Sequence, residues 1–250
     1  MQEKDIRPKD IFDEYLRLAK KDTKTFFENV EVQEIPCPAC GLKGKYSFKK
    51  NNFSYSKCDQ CQTLYVNPRP SNQSFENYYK NSPSSKYWAT TFYKETIDAR
   101  REKIWKPKTK LIQNYLNKFN ASNYHIIDIG GGYGVFAEEF LQLSNKSPTI
   151  IEPAPHLAEI CREKGFIVIE NFLENISIEE LPDVPKCFVS FELFEHLYSP
   201  AKFLEILNKL MKKNDLFIFT TLSGIGLDIQ VLWEKSPSVS PPHHLNFLNP

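Results

Sequence analysis

Apolar and polar positions in the second half of the chain follow two alternating patterns. Short apolar runs predict β-strands, and longer segments with apolar residues three or four positions apart predict helices. The predicted strands are Tyr124–Ile129, Thr149–Glu152, Phe166–Ile169, Cys187–Phe191 and Leu216–Thr220. The predicted helices between them are Val135–Leu143, Pro155–Lys164 and Pro200–Lys212. Strands that alternate with helices require a mostly parallel sheet covered on both faces, so we expect an α/β domain over residues 121–250.

The first 120 residues show helical spacing on both sides of a short cysteine-rich stretch. Residues 10–29 place apolar side chains along one side of a helix, and residues 74–80 and 86–119 predict two more helices. Pro107 is expected to kink or split the last of these. We therefore expect an N-terminal helix in residues 1–35, a small module in residues 36–70 and a helical linker in residues 71–120. The aromatic side chains between Tyr78 and Tyr93 predict packing against a neighbouring domain or, alternatively, a lid over a bound ring.

Composition adds few constraints to this organisation. Hydrophobic residues make up 41% and charged residues 25% of the chain, which is ordinary for a soluble globular protein. No apolar run approaches the roughly 18 residues needed to cross a bilayer. The segment Met1–Asp5 also lacks the apolar core of a signal peptide. The expectation is a cytoplasmic protein without a membrane partner, and no pattern in the sequence indicates an oligomeric state.

The net charge of +1 is unevenly divided along the chain. Residues 1–120 contain 23 Lys and Arg against 14 Asp and Glu, a net charge of +9. Residues 121–250 contain 9 against 17, a net charge of −8. This division supports a boundary near residue 120. The basic front half is compatible with phosphate contacts, although solvated helix faces explain the excess more simply.

A glycine cluster follows the first predicted strand and precedes a predicted helix. Gly130, Gly131, Gly132 and Gly134 allow the backbone to turn sharply and to approach a ligand closely. A dinucleotide-binding loop of the Gly-x-Gly-x-x-Gly type would need a glycine at Val135. Asp128, two residues before the first glycine, would also repel a pyrophosphate and suits a cationic or hydroxyl-rich ligand better. A glycine-rich loop without a ligand is the alternative. The pattern resembles motif I of the class I S-adenosylmethionine-dependent methyltransferases, in which this loop holds the methionine end of the cofactor.

The ends of the later strands carry side chains that suit the rest of such a cofactor. Glu152 lies 22 residues after Gly130 and could accept hydrogen bonds from both ribose hydroxyls. Asn171 and Phe172 follow the third strand and could frame an adenine. Glu192 follows the fourth strand and is expected near the methionine end. A surface carboxylate at a strand end is the alternative for Glu152.

Two Cys-x-x-Cys pairs separated by 17 residues predict a metal site in residues 36–70. Its candidate ligands are Cys37, Cys40, Cys58 and Cys61. Four thiolates leave no open coordination position, so the expected ion is a structural Zn²⁺. Disulfides are disfavoured in a cytosolic chain, and a redox motif does not explain two copies at this spacing. Alternating aromatic residues between the pairs predict a β-hairpin with Asn51 and Asn52 at its tip. Cys161 and Cys187 lie within apolar patterns and are expected in the core.

The fourth strand leads into a segment with a second resemblance. Phe191-Glu192, followed by Glu195-His196 and a helix, is similar to the motif IV region of methyltransferases that act on small molecules. With the two cysteine pairs in front, residues 35–250 resemble the zinc-ribbon methyltransferases of sugar and polysaccharide pathways, which include nucleotide-sugar C-methyltransferases. The resemblance implies a Rossmann-like sheet of the class I methyltransferase type behind a small zinc ribbon. It also implies S-adenosylmethionine and Zn²⁺ as cofactors and a sugar-like acceptor.

Three features depart from that family. The turn Lys212–Asp215 replaces the usual Pro-Gly-Gly, and Cys187 replaces the usual Asp at the start of the fourth strand. Such folds also add a helix and an antiparallel strand pair after the fifth strand, whereas this sequence stops at Pro250. We therefore expect a sheet that lacks its last strands, because either the fold is trimmed or the chain is shortened.

A sugar hydroxyl or a carbon next to a ketone needs a general base before it accepts a methyl group. His196 backed by Glu195 is one candidate for this base, and His243 and His244 in a proline-bounded loop are another. A structural role is the alternative for each.

A competing function is methylation of RNA. Residues 36–70 contain six basic residues and one acidic residue, and the basic residues would bind the phosphates of the RNA. The net charge of −8 around the glycine loop opposes that function. A third hypothesis is a cofactor-binding interaction module without turnover.

Overall fold

The computed structural model describes residues 3–249. Its α-helices are α1 (Glu3–Ile6), α2 (Lys9–Phe27), α3 (Asn72–Asn81), α4 (Pro83–Tyr87), α5 (Tyr93–Arg100), α6 (Lys106–Lys118), α7 (Val135–Ser144), α8 (Pro155–Glu163), α9 (Pro200–Leu210) and α10 (Leu227–Leu232). Its strands are β1 (Val32–Gln33), β2 (Gly44–Lys50), β3 (Phe53–Cys58), β4 (Leu64–Val66), β5 (Arg69–Pro70), β6 (His125–Ile129), β7 (Thr149–Ile151), β8 (Ile167–Ile169), β9 (Lys186–Phe191), β10 (Leu216–Thr220) and β11 (Asn246–Phe247). No helix in the described part of the chain has the length and apolar character needed to cross a membrane.

The chain divides into two compact units. Unit 1 consists of the chain up to Ile97, the segment Phe194–Pro200 and the chain from Thr221 onward. Unit 2 consists of Asp98–Leu193 and Ala201–Thr220. This division does not follow the linear boundary expected near residue 120, because two segments from the second half of the chain pack with the cysteine-rich module.

Unit 2 is built on a parallel sheet with the strand order β10-β9-β6-β7-β8. All four pairings between neighbouring strands are parallel. Helices α6 and α7 pack with β6 and β9 in one apolar cluster, and α8 packs with β7 in another. The structure therefore confirms the predicted α/β fold with a mostly parallel sheet. Each predicted strand is present, with ends that differ by at most one residue.

The strand order explains why functional groups collect at one edge of this sheet. After β8 the chain returns to the other side of β6, so β6 lies at the point where the order reverses. Ligands of open α/β sheets bind beyond the carboxyl ends of the strands at this point. Asp128, Glu152 and Glu192 lie at the ends of β6, β7 and β9 respectively.

The turn before β10 is stabilised by hydrogen bonds to the side chain of Asp215. Asp215 accepts hydrogen bonds from the backbone N–H groups of Lys186 and Lys212, each at 2.9 Å. Asn214 has a φ of 75°, a left-handed conformation that asparagine tolerates better than most residues. Side-chain hydrogen bonds therefore stabilise the turn where the resembling family has Pro-Gly-Gly.

The long helical stretch before β6 is continuous. Segments Trp88–Phe92 and Arg101–Trp105 are π-helical and connect α4, α5 and α6 without a break. Pro107 lies in the first turn of α6, directly after the second π-helical segment. Pro107 therefore does not split the helix, because its missing N–H falls in the first turn of α6, and the expected kink stays a prediction.

Unit 1 contains an antiparallel sheet with the order β11-β4-β3-β2 among the described residues. Asn51 and Asn52 form the predicted two-residue turn between β2 and β3, with φ values of 46° and 67° that are typical of a type I′ turn. An aromatic core packs α2 and α3 on this sheet, together with residues of the C-terminal stretch such as Leu245 and Phe247. The stretch after β10 thus adds β11 to the antiparallel sheet, where it pairs with β4.

Candidate functional site

The glycine loop between β6 and α7 is tightly constrained by its backbone and by its neighbours. Gly130 and Gly134 have φ values of 74° and 68°, which L side chains rarely adopt. A Cβ atom on Gly131 would lie 2.6 Å from Cγ2 of Ile150 and 3.1 Å from Oδ2 of Asp128. Any larger residue at Gly131 would therefore displace buried neighbours. The loop can present its backbone to a ligand at close range.

Three side chains hold this loop in place. Glu152 accepts hydrogen bonds from the backbone N–H of Gly132 at 2.8 Å and of Ala154 at 2.9 Å, one on each carboxylate oxygen. The Cys161 thiol donates to the carbonyl of Gly132 at 3.2 Å. Lys164 Nζ donates to the carbonyl of Tyr133, the residue after Gly132, at 2.7 Å. Cys161 is buried in the core, as expected, but its contact with the loop was not apparent from the sequence.

Asp128 is a buried carboxyl group beside the loop. It is 2% exposed, and its Oδ2 has no hydrogen-bond partner among residues 3–249. Burial raises the pKa of Asp128 to about 7; the nearby Glu152 adds to this rise, and Lys108 opposes it. An oxygen of this kind is costly to bury without a donor. The site therefore suits a ligand that brings a hydrogen-bond donor or a positive charge.

Lys108 of α6 also lies at the carboxyl edge of the sheet, and no pattern in the sequence distinguishes it from the neighbouring lysines. Its Nζ lies 3.0 Å from Glu192 Oε1 and 3.0 Å from Thr220 Oγ1, and Thr220 donates to Glu192 at 2.8 Å. The ammonium group also lies over the rings of Trp105 and Phe191, at 5.2 Å and 4.8 Å. Glu192 adopts a φ of 52°, which is unusual for a residue other than glycine. A hydrogen bond from Thr220 thus joins the carboxyl ends of β9 and β10, and the ion pair of Lys108 with Glu192 ties α6 to the same point.

The two residues expected to frame an adenine follow β8. The Asn171 side chain accepts hydrogen bonds from the backbone of Phe172 at 2.9 Å and from Asn175 at 3.2 Å. Its amide therefore shapes the local turn. The ring of Phe172 is 58% exposed. Phe172 is accordingly the better placed of the two for stacking on a planar ligand.

Unit 1 brings all four predicted metal ligands together. The sulfur atoms of Cys37, Cys40, Cys58 and Cys61 all lie within 4.8 Å of one another. The separations are 3.5 Å for Cys37 and Cys61, 3.4 Å for Cys40 and Cys58, and 3.5 Å for Cys40 and Cys61. A disulfide would require about 2.05 Å. Four thiolates bound to Zn²⁺ at about 2.3 Å lie about 3.8 Å apart, so this cluster fits a tetrahedral ion.

The two cysteine turns share one backbone geometry. Gly41 N donates to Cys37 O at 2.9 Å, and Gln62 N donates to Cys58 O at 3.0 Å. Gly41 and Gln62 also have similar φ values of 76° and 58°. Two equivalent turns are what a four-thiolate site requires, because each turn presents two sulfur atoms to the ion.

The acid and base candidates also come together in unit 1. Glu195 is 2% exposed and accepts a hydrogen bond from Thr221 Oγ1 at 2.9 Å. The rings of His196 and His244 lie 4.8 Å apart. His196 Nδ1 donates to the carbonyl of His243 at 3.0 Å, and His244 Nδ1 donates to the carbonyl of Ser238 at 2.6 Å. One carboxylate and two imidazoles are therefore neighbours.

His243 has the surroundings of a core residue. Its side chain is 6% exposed, and its Nε2 lies 2.5 Å from the hydroxyl of Tyr78. The rings of Tyr15 and Tyr79 also lie against the imidazole, at 5.4 Å and 5.9 Å. Burial holds the pKa of His243 well below its usual value. Tyr78 is itself fully buried. Its ring therefore packs in the core of unit 1 and does not form part of a lid over a bound ligand.

A buried polar network that the sequence did not reveal fixes the backbone around these residues. Arg69 is 1% exposed and donates to the carbonyl of Tyr198 at 2.6 Å and to Asn246 Oδ1 at 2.8 Å. Asn246 Nδ2 donates to the carbonyls of Phe194 at 3.2 Å and of Leu197 at 2.7 Å. The network therefore encloses the segment that carries Glu195 and His196.

The parallel sheet with its glycine loop defines a Rossmann-like domain of the class I methyltransferase type. Residues 97–250, more than half of the chain, match the family described as "Methyltransferase domain". The chain therefore belongs to this family. Among curated proteins, no sequence matches the chain at a significant level.

Solved structures resemble this chain at low sequence identity. The plantazolicin methyltransferase BpumL, in complex with SAH, is 14% identical, with a TM-score of 0.50 over 65% of this chain and 64% of its own. The sugar N-methyltransferase KedS8 from a Streptoalloteichus species is 11% identical, with a TM-score of 0.46 over 54% of this chain and 56% of its own. Streptomyces venezuelae DesVI is 10% identical, with a TM-score of 0.44, over 52% of this chain and 56% of its own. The chain thus spans less than two thirds of each of these proteins.

Proposed function

We propose that this protein transfers a methyl group from S-adenosylmethionine to a small, sugar-like molecule. Unit 2 binds the cofactor at the carboxyl edge of its parallel sheet. The observation that carries this proposal is the buried Oδ2 of Asp128, which has no hydrogen-bond partner in the described part of the chain, beside a glycine loop whose Gly131 has no room for a Cβ atom. A cofactor with an ammonium group and a sulfonium centre supplies the donor and the positive charge that this oxygen lacks. A pyrophosphate would add negative charge next to Asp128 and Glu152.

The other residues at this edge have complementary roles in the proposal. Each Glu152 oxygen accepts one backbone N–H and retains a second lone pair, so the carboxylate can hold the loop and accept ribose hydroxyls together. The exposed ring of Phe172 offers a stacking surface for the adenine, and Asn171 shapes the turn beneath it. Glu192, oriented by Lys108, lies at the methionine end.

The cofactor supplies an activated methyl group, so the protein mainly positions the acceptor and controls its proton. Glu195, His196 and His244 provide the carboxylate and imidazole groups for this second task in unit 1. His243 is already engaged by Tyr78 and is left out of the proposed acceptor site. Polar side chains of this kind suit a hydroxyl-bearing molecule.

The cysteine module has a structural role in the proposal. Four thiolates complete the coordination of a Zn²⁺ ion and leave no position for a substrate. The apolar cluster around the four sulfur atoms has Cys37, Cys58 and Tyr65 as its buried members, so packing alone contributes little to holding the two cysteine turns. The ion would therefore stabilise the turns at Gly41 and Gln62.

The contacts of the basic residues favour a small acceptor over RNA. Of the six basic residues in 36–70, four are engaged within unit 1. Lys45 pairs with Asp59 at 2.7 Å, Lys50 donates to Ser236 O at 2.8 Å, and Lys57 lies 5.5 Å from the centre of the Trp233 ring. Arg69 belongs to the buried network. Arg69 is buried and Lys50 and Lys57 are half-buried, so these three are less available to phosphates than the exposed Lys45.

Mass spectrometry with methyl-labelled S-adenosylmethionine tests the function. The zinc-loaded protein is incubated with a panel of nucleotide-sugars, with structured RNA and without an acceptor. A labelled methyl group on a nucleotide-sugar is the expected result. Label on RNA alone would replace the sugar proposal with the RNA alternative. Binding of S-adenosylhomocysteine without label on any acceptor would support the interaction module instead.

A further inference from the structure

Glu195, His196 and His244 form a cluster with the composition of a second metal site. One ligand atom from each side chain lies within 4.8 Å of the other two. We propose that this cluster binds a divalent transition-metal ion, at a site distinct from the four cysteines. Its ligands would be two imidazoles and one carboxylate. The three residues come from two segments of unit 1, Phe194–Pro200 and the stretch after Thr221.

The hydrogen bonds of the two histidines set the tautomer that metal binding requires. His196 Nδ1 lies 3.0 Å from the carbonyl of His243, and His244 Nδ1 lies 2.6 Å from the carbonyl of Ser238. A carbonyl only accepts, so each Nδ1 carries the proton and each Nε2 carries the lone pair. Histidine ligands of metal ions usually donate their other ring N–H to a carbonyl or a carboxylate in this manner.

The carboxylate is held in a comparable way. Glu195 Oε2 accepts a hydrogen bond from Thr221 Oγ1 at 2.9 Å, and the residue is 2% exposed. Ligating carboxylates are themselves commonly fixed by hydrogen bonds from neighbouring groups. A carboxylate and two imidazoles are a donor set that divalent transition-metal ions commonly take in proteins.

The backbone that carries these ligands is fixed before any ion binds. The carbonyl of Glu195 accepts hydrogen bonds from the backbone N–H of Leu245 at 2.6 Å and of Asn246 at 3.2 Å. Tyr55 donates from its hydroxyl to the carbonyl of His244 at 2.8 Å. The network of Arg69 and Asn246 encloses the same segment. Ligands on a backbone that is fixed in advance lose less conformational freedom when an ion binds.

The donor set indicates which ions would bind. Two imidazole nitrogens and one carboxylate oxygen suit Fe²⁺ or Zn²⁺ and leave coordination positions open. The four-thiolate site leaves none. The metal site rests on the positions of the three side chains and not on the proposed methyl transfer; a bound ion would occupy the groups that the proposed function uses for proton transfer.

Cobalt substitution of the full chain tests the metal site. The cysteine cluster is first loaded with zinc, weakly held ions are removed with a mild chelator, and Co²⁺ is then titrated while visible absorption is recorded. We expect one further equivalent of Co²⁺, with d–d bands and without the charge-transfer bands that thiolate ligands produce. His244→Ala and Glu195→Gln should each weaken cobalt binding by about tenfold or more. His156→Ala, which removes an exposed histidine of α8, should bind as the wild type does.

Two results would overturn the proposal. One is a wild-type protein that binds no Co²⁺ beyond its cysteines. The other is unchanged cobalt affinity in both His244→Ala and Glu195→Gln. Circular dichroism confirms that each variant is folded, and if His244→Ala does not fold, Glu195→Gln and the wild-type stoichiometry decide. Calorimetric binding of S-adenosylhomocysteine in the same samples reports separately on the proposed function.

Discussion

The carboxylate of Glu152 connects the end of β7 to the glycine loop, because its Oε2 accepts the backbone N–H of Gly132 at 2.8 Å. The sequence predicted this residue as a ribose ligand, and the structure adds a contact with the loop. Because its other oxygen accepts the N–H of Ala154, the carboxylate also fixes the start of α8. One side chain therefore shapes two parts of the proposed cofactor site.

Glu152→Gln tests this connection. An amide keeps one acceptor oxygen but presents an N–H₂ group where the second acceptor is needed, so one backbone N–H loses its partner. Hydrogen bonds to charged groups contribute about 1.5–3 kcal/mol, so we expect the Kd for S-adenosylhomocysteine to rise by about tenfold or more. Calorimetry measures the change. Glu205→Gln, an exposed residue of α9, is the matched control, and equal affinities in the two variants would contradict the assigned role.

Asp128 makes stability depend on pH in a predictable direction. Its pKa in the folded protein is about 7, above the ordinary value of about 3.9, so the folded state favours the protonated carboxyl. The stabilisation from this proton is complete below pH 4 and is lost as the pH rises through 7. Relative to Asp128→Asn, the free energy of unfolding of the wild type should fall by about 3 kcal/mol between pH 5 and pH 8.

Urea denaturation of the ligand-free protein at the two pH values measures this difference. Asparagine has nearly the same shape and does not titrate, so it isolates the carboxyl group from other groups that change with pH. Parallel pH dependence in wild type and variant would show that Asp128 is already ionised in the folded state.

The role of Lys108 was not evident from the sequence, and Lys108→Met tests it. The substitution removes the ion pair with Glu192 and the positive charge that lowers the pKa of Asp128. Because Glu192 is 47% exposed, the expected loss is modest, on the order of 1 kcal/mol or a few-fold in the Kd for S-adenosylhomocysteine. The pKa of Asp128 should also rise, so the free energy of unfolding should fall at a higher pH than in the wild type. Lys110→Met changes a neighbouring exposed lysine and should alter neither quantity.

The cysteine cluster should hold zinc firmly. We expect one equivalent of zinc to remain after mild chelation of the wild type, and none in Cys58→Ser, because three thiolates bind the ion less completely. Elemental analysis measures the content, and limited proteolysis should show new cleavage within residues 36–63 of the variant. Cys161→Ala, which alters a cysteine of unit 2, should keep its zinc. A zinc content that is the same in Cys58→Ser and wild type would exclude the cysteines as ligands.

Local patterns were enough to predict the fold of unit 2. The apolar runs of β6 and β9 are buried along almost their whole length, as expected for parallel strands that are covered on both faces. The hairpin between the cysteine pairs was equally evident, because Asn51 and Asn52 have a strong preference for its turn. Both features depend on neighbours in the sequence.

Features that depend on distant contacts could not be predicted. Arg69 and Asn246 are 177 positions apart in the chain and meet in a buried network. Lys108 is one of five basic residues in 101–110, and nothing in the pattern separates it from the others. His243 and His244 look equivalent in the sequence, yet His243 is enclosed by three tyrosines and His244 lies beside His196. The division into units also depends on where the C-terminal stretch packs.

Calorimetric titration of the wild-type protein with S-adenosylhomocysteine, and separately with NAD⁺, tests the central claim most directly. The geometry of Asp128 and the glycine loop predicts saturable binding of one S-adenosylhomocysteine per chain and no binding of the dinucleotide. No heat with S-adenosylhomocysteine, or preferential binding of NAD⁺, would contradict the assignment of this loop to a methyl-donor cofactor.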